Sequence, residues 1–237
     1  METTTATDWI EEGVTYAEME SDAFDSGTVT IDTARESSLS YRVFKRLFDI
    51  VFATVGIVLL IPLFLVIAVS IKLEGKGNIL YFREMIGLRG RRFTILKFRT
   101  MQPNADTYLE QHPELKLEYE KNMKLRDDPR ITRSGKFLRK TYLDELPQLF
   151  NVLLGQMSLV GPRAIHQCEL ALYAEYAQKR HSVKPGITGL WQISPDRYRC
   201  YEDRISLDMQ YIDKRSFILD LVILLKTLKV FVARTGV

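Results

Sequence analysis

The hydrophobic pattern divides the chain into unlike stretches. From Ile50 to Ile71 no residue is charged, and the run is apolar on every helical face. About 20 such residues meet the length of a membrane span. Pro62 falls near the middle, where a proline removes a backbone donor and kinks a helix. Bases flank both ends: Lys45 and Arg46 before, Lys72, Lys76 and Arg83 after. The positive-inside rule places basic flanks on the cytoplasmic side. A helix broken at Pro62 that enters and leaves through one leaflet satisfies both flanks, and a kinked spanning helix is equally compatible. A buried soluble helix is the weaker third reading, because the run lacks a polar face.

Downstream the pattern becomes that of a soluble fold. Residues 79–101 read as a β-hairpin, two β-prone runs punctuated by Gly87 and Gly90. Residues 104–126 read as polar helix, restarted at Pro113. A basic, turn-rich stretch leads to an apolar run, Leu149 to Leu154, and then to Gly161-Pro162-Arg163. A helix is expected from Gln167 to His181, and loop and strand from Lys184 to Ser194. The last 22 residues form a strongly apolar helix with Lys226, Lys229 and Arg234 spaced along it. It suits either a membrane interface or packing on the domain core.

Charge adds an asymmetry that the net value of +3 hides. Before Ser40 the chain carries ten acids and one base, Arg35. That segment has few large apolar groups and is expected to be a disordered acidic tail, residues 1–40. Its Trp9, Tyr16 and Phe24 are either a docking motif or inert. The remainder is basic and favours anionic partners. Cys168 and Cys200 lie far apart, and His112, His166 and His181 are scattered, so neither a disulfide framework nor a zinc site is indicated. The chain starts without the basic, short-apolar pattern of a cleavable signal peptide.

The chemistry concentrates in KTYLDELPQLFNVLLGQMSLVGPRA, Lys140 to Ala164. If Leu143 or Asp144 caps a helix, Pro147 falls in its first turn, where a missing N–H costs little. The acids Asp144 and Glu145 then sit at the positive end of the helix dipole, where a phosphate can also be received. Arg126, Arg130, Arg133, Lys136, Arg139 and Lys140 precede them, and Arg163 follows. Neighbouring helical residues point about 100° apart, so the two acids suit different tasks. One can ligate Mg²⁺ through oxygen. The other can attack phosphorus to give an acyl phosphate, with cations neutralising the developing charge. On spacing alone a capping acid pair held by surface salt bridges explains the same residues.

The blocks KRLFD (Lys45 to Asp49), KFRTM (Lys97 to Met101), DPRITRSGKFLRKTYLDELPQLFNVLLG (Asp128 to Gly155), MSLVGPR (Met157 to Arg163) and PGITGLWQIS (Pro185 to Ser194) occur in order. With the proline-interrupted apolar segment they make the chain resemble the bacterial sugar transferases, monotopic phosphoglycosyl transferases that prime polysaccharide synthesis on polyprenol phosphate. The resemblance runs from about Lys45 to the C-terminus and is nearest to members that transfer galactose- or glucose-1-phosphate.

It implies an α+β, mostly helical fold. A re-entrant membrane helix-break-helix (41–75) would precede a small cytoplasmic catalytic domain (76–237) with a short β-hairpin and interfacial amphipathic helices. Asp144 would be the nucleophile toward the β-phosphorus of a UDP-sugar, and Glu145 would hold Mg²⁺. Undecaprenyl phosphate would then take the sugar-phosphate. Arg139 and Arg163 would contact phosphates, with Lys97, Arg99 and the Arg133 of the basic run in the same site. Lys45 and Arg46, near Asp49, would lie at lipid headgroups, and Pro62 would be the re-entrant break. The implied location is the cytoplasmic face of a bacterial inner membrane. Nucleic-acid binding is disfavoured by the apolar segment and by the absence of a recognised module. An ordinary sugar-nucleotide glycosyltransferase would show an Asp-x-Asp motif, which is lacking. A homo-oligomer is compatible with the sequence.

The chain departs from the family pattern at Tyr142 (usually Ser), Gln156 (usually an acid), Ala164 (usually Pro), Met85 (usually Arg) and Pro195-Asp196-Arg197 (usually Gly-Arg-Asn). These departures and the acidic tail motivate one alternative, a catalytically silent membrane scaffold. The intact Asp144, Glu145, Arg139 and Arg163 speak against it.

Overall fold

The computed structural model describes residues 38–122, 125, 127–194 and 201–232. The tail up to residue 37, Arg126, residues 195–200 and Arg234 lie outside them.

The apolar segment forms one helix, α1 (Leu39–Leu73), capped by the Ser38 hydroxyl, which accepts from the Tyr41 N–H at 3.3 Å. At 1.5 Å per residue it is roughly 50 Å long. The expected break at Pro62 is not an interruption, and the helix continues through it. The proline lies on the exposed side and costs only one intrahelical bond there. One stripe faces the rest of the protein. Asp49, Ala53, Ile67 and Ile71 are buried along it, and Phe64 meets Phe98 edge-on at 5.7 Å. That spacing is the 3.6-residue period of a packed helix face. On the other side Val51, Val55, Leu59, Leu65, Val66 and Val69 are exposed.

The soluble part begins with the antiparallel hairpin of β1 (Leu80–Ile86) and β2 (Arg92–Phe98), in register from Leu80 opposite Phe98 to Ile86 opposite Arg92. Arg89 and Gly90 make the turn with positive φ. The polar helical stretch is α2 (Ala105–Glu110) and α3 (Pro113–Asn122), as expected. Next come α4 (Arg133–Lys140), a 3₁₀ turn (Leu143–Glu145), α5 (Gln148–Leu153) and β3 (Ser158–Val160). The acid pair therefore sits on a turn between two helices, not at a helix start, and Pro147 immediately precedes α5.

The helix expected over 167–181 is a 3₁₀ segment (Cys168–Tyr176), broken at Ala174 with φ 42°, followed by a four-residue helix, α6 (Ala177–Arg180). Residues 184–194 contain β4 (Gly186–Thr188) and then a short helix, α7 (Leu190–Ile193), where only loop and strand were expected. Two helices close the chain, α8 (Tyr201–Lys214) and α9 (Phe217–Val232).

The main core gathers Phe93 and Ile95 of β2, Leu149 and Val152 of α5, Leu159 and Val160 of β3, and residues of α8 and α9, with Ala53 of α1 among them. A smaller cluster joins Ile67 and Ile71 of α1 to Phe98 and Leu138. Helix α1 thus shares both clusters with the domain, and each of its halves touches it.

Polar contacts reinforce this seam. Lys45 donates to Asp220 of α9 at 2.7 Å. Arg46 donates to the carbonyls of Val152 and Leu153 at 2.6 and 2.8 Å. The Asp49 carboxylate accepts from the Ser158 hydroxyl and the Leu159 N–H at 3.1 and 3.0 Å. Lys45 and Arg46, expected at lipid headgroups, are turned inward, because a buried carboxylate and the last carbonyls of α5 offer them partners. Arg42, Lys72 and Lys76 are exposed bases beside the apolar run.

A candidate active site on an acid turn

The acid turn is placed from both sides. Thr132 caps α4, its hydroxyl accepting from the Gly135 N–H at 3.1 Å. Gly135 lies so close to the Thr100 carbonyl that any side chain would collide with it, so α4 docks tightly on the end of β2. The helix ends where Tyr142 adopts the left-handed conformation, φ 56° and ψ 14°. Glycine commonly takes that position just past a helix. The reversal turns the next residues back toward β2. On the other side, buried Asn151 of α5 accepts from the Leu96 N–H at 3.0 Å and donates to the Thr94 carbonyl at 2.7 Å. Its amide also donates to Gln156 at 2.7 Å, a contact in which the departure at 156 supplies a neutral acceptor.

Strand alternation explains the cation. Phe93 and Ile95 are buried, and Lys97 shares their face. Its ammonium reaches the Glu145 carboxylate at 2.8 Å. Arg163 approaches the same oxygen at 3.5 Å. Arg163 is brought there just past β3, where it bridges to Gly186 of β4; the two strands pair in parallel with Ser158 opposite Gly186. A Cβ on Gly161 would lie 2.6 Å from the Lys184 carbonyl oxygen, so the strands meet at glycine backbone. Fully buried Arg180 donates to the Arg163 carbonyl at 2.6 Å and fixes the turn from behind. Lys97, Glu145, Gln148 and Arg163 line a small recess with Met85, Ile95, Ala164, Gly186 and Ile187. Two of the departures, Met85 and Ala164, therefore form its apolar wall.

The two acids differ electrostatically. Asp144 is 9 % exposed. Burial first, and then the charge of Glu145, pushes its carboxyl up to about 6, against Lys97 and Arg139. Burial acts on Glu145 in the same direction, but Lys97 and then Arg163 outweigh it and hold that carboxyl well below its usual range. So Glu145 is the fixed anion and Asp144 the poised one. Arg139, half-buried, is aligned by its Nε–H bond to the Thr100 hydroxyl at 3.0 Å.

Other expected site residues lie elsewhere. Arg99 spends its guanidinium on the end of α1, donating to the carbonyls of Lys76, Ile71 and Gly75 at 3.0, 3.2 and 3.2 Å. Arg133 is exposed at the opposite end of α4 from the acids, beside Glu74. Among the described residues no cluster of three or more His, Cys, Asp or Glu side chains forms. Mg²⁺ needs no such cluster: it retains water and is typically held by one or two carboxylates plus substrate phosphates. The hard oxygens of Glu145 and Asp144 fit that demand.

Sequence reading missed Trp191, Arg180, Arg204 and Glu169 as parts of this region. Arg204 stands over the Trp191 ring at 5.1 Å and bonds to Glu169 at 3.2 Å. The signal was present: Ile205, Met209 and Ile212 recur at helical spacing through α8 and mark the face that carries Arg204 inward.

Comparison with known proteins follows the same residues. A family described as bacterial sugar transferase matches residues 40–234. The UDP-galactose-lipid carrier transferase of Erwinia amylovora is 42% identical over 212 residues, covering 88% of this chain and 44% of that protein. The exopolysaccharide production protein ExoY of Sinorhizobium fredii is 43% identical over 188 residues, covering 78% of this chain and 83% of its own. The undecaprenyl-phosphate galactose phosphotransferase of Salmonella typhimurium is 41% identical over 201 residues, covering 83% and 42%. The chain thus spans less than half the length of the Erwinia and Salmonella relatives and most of ExoY.

Proposed function

Because this chain belongs to the bacterial sugar transferase family, we propose that it transfers a sugar 1-phosphate from a UDP-sugar to undecaprenyl phosphate, in the first membrane step of exopolysaccharide or O-antigen synthesis. The reading rests on the split acid pair: a buried, poised Asp144 beside a Glu145 locked as an anion by Lys97 and Arg163. The relatives named for galactose transfer to lipid carriers and for exopolysaccharide production support it.

In this reading an Asp144 carboxylate oxygen attacks the β-phosphorus of the UDP-sugar. The phosphoanhydride bond to UMP breaks, UMP leaves with the bridging oxygen, and an aspartyl-phosphosugar remains. An oxygen of undecaprenyl phosphate then attacks the same phosphorus. It releases the carboxylate and forms the diphosphate-linked sugar. Arg139 and Arg163 hold phosphoryl oxygens, and Lys97 keeps Glu145 ionised and in place. Mg²⁺, when bound at Glu145, supplies charge neutralisation on the diphosphate. The apolar wall of Met85 and Ala164 limits water, which would hydrolyse an acyl phosphate.

The same reading seats the protein at the cytoplasmic face of the inner membrane, with α1 immersed from one side. Both halves of α1 pack on one domain, so both ends lie beside it. Exposed apolar residues of α9, Ile218, Leu221, Val222, Leu225 and Leu228, extend that surface. Cysteines at the exposed Arg42 and Lys76 should both be labelled from the cytoplasm; opposite-side labelling would sink this placement.

The transfer itself is tested by UMP release from a panel of UDP-sugars with Mg²⁺ and undecaprenyl phosphate. Intact mass should show a phosphosugar adduct that Asp144→Asn abolishes. An undiminished adduct in that variant overturns Asp144 as nucleophile.

A further inference from the structure

Arg204 of α8 is 7 % exposed, yet two of its three guanidinium nitrogens are unused. Its flat guanidinium is covered by aromatic rings, Tyr201 at 4.8 Å and Trp191 at 5.1 Å. Its Nη1 donates to Glu169 at 3.2 Å. Its Nε and Nη2 have no partner among the described residues. Buried polar groups are satisfied in nine cases of ten or more, and an arginine cannot relieve the cost by losing its proton.

Arg130 supplies an internal contrast. There the same two atoms, Nε and Nη2, grip the two oxygens of Asp128 at 2.8 and 2.7 Å. That edge is the fork that matches a carboxylate or phosphoryl group with two parallel bonds. In Arg204 the fork is formed, oriented by stacking and left open.

Its position gives the open fork a meaning. Arg163, which contacts Glu145, lies over the same Trp191 ring at 5.8 Å. Gln192, the next residue of α7, carries a buried amide with both polar atoms unpartnered. The open edge of Arg204 therefore lies against the same indole ring that Arg163 of the acid site faces. In the transfer reading Arg139 and Arg163 hold the phosphoryl group that reacts, whereas a nucleoside diphosphate carries two.

We propose that the Nε/Nη2 edge of Arg204 is a second oxyanion subsite of the same active site, taking a phosphoryl group that does not react. The assignment builds on the transfer reading above. Its ligand is a phosphoryl oxyanion, either the nucleotide-side phosphate of the soluble donor or the phosphate of the lipid acceptor. The edge is buried, so binding requires the wall formed by α7 and α8 to open.

The test uses the full chain in detergent. UDP and inorganic pyrophosphate binding are measured by calorimetry, and KM values are taken separately for the UDP-sugar and for a polyprenyl phosphate. Arg204→Lys keeps the charge but loses the fork, and should weaken one ligand class about tenfold to a hundredfold. Glu169→Gln removes the anion that competes for Arg204, and should tighten the same ligand severalfold. Weakened UDP and pyrophosphate binding assigns the soluble donor, and a raised KM for polyprenyl phosphate alone assigns the lipid. If Arg204→Lys shows no melting transition, the direction of the Glu169→Gln effect decides. Unchanged constants for both ligand classes overturn the subsite. UMP release that is indifferent to both variants keeps the transfer reading and removes the subsite. Arg204-dependent UDP binding without UMP release from any UDP-sugar does the reverse.

Discussion

Two regions of this protein use the same residue types to opposite ends. Along the seam between α1 and the domain, Lys45, Arg46, Asp49 and Arg99 all have close partners. Around the acid turn, the Asp144 carboxyl is buried beside a like charge, and Arg204 and Gln192 hold unfilled hydrogen-bonding capacity. A satisfied buried charge holds a helix in place. An unsatisfied one costs stability and is kept where a ligand can complete it. Basic residues that look alike in sequence are thus sorted by where their donors go.

The comparison is broken most forcefully at Asp144. Asp144→Asn should lower UMP release about a thousandfold or more, as loss of a nucleophile does in other covalent enzymes. The same variant should raise the melting temperature. The folded carboxyl sits near 6 against an ordinary value of 3.8, so the stability it contributes is present below the ordinary value and lost as pH rises through about 6. Removing the charge at pH 7 therefore recovers on the order of 1–3 kcal/mol. A lowered melting temperature would show that the acid turn is not under electrostatic strain.

At the seam the signs reverse. Asp220→Ala strands Lys45, Tyr41 and Tyr211, all of which donate to it. Breaking such a buried pair costs about 3 kcal/mol, measurable by denaturant titration, while activity per folded molecule should persist. Arg99→Lys replaces a fork that spans three carbonyls by a single point charge, at a cost of about 1 kcal/mol. The KM for the UDP-sugar should not move; a raised KM would return Arg99 to the phosphate site.

The pH profile is the finest discriminator. Rate should fall below about pH 6, as Asp144 takes up its proton. Lys97→Met removes a cation that lowers both acids, so this acid limb should move to higher pH. A limb unmoved in that variant would separate Lys97 from the acid pair.

Much of this was legible without coordinates. The hairpin appeared from its glycines and β-prone runs. The restart at Pro113 and the polar helices around it appeared from spacing. Asp144 and Glu145 stood out as adjacent acids after a basic run, and motif resemblance divided their roles. Lys97 could be placed because alternation along β2 puts it on the face of Phe93 and Ile95. The errors share one cause. Arg99 and Arg133 resemble Arg139 in charge and neighbourhood, and no local pattern says that Arg99 ends α1 or that Arg133 lies at the far end of α4. The helix expected over 167–181 failed because its pattern carries no notice of the reversal at Ala174.

The sequence alone determined the elements whose causes are local: an apolar run long enough for a membrane, strand alternation, the helix restart at Pro113, and two adjacent acids after a basic run. Tertiary structure alone decided which cations serve the acids and which tie down α1. Only packing brings Lys97, from β2, and Arg163, from the turn after β3, to one carboxylate. It also leaves Asp144 poised and Arg204 open, because burial and the distance to a partner are properties of the folded chain and not of any segment.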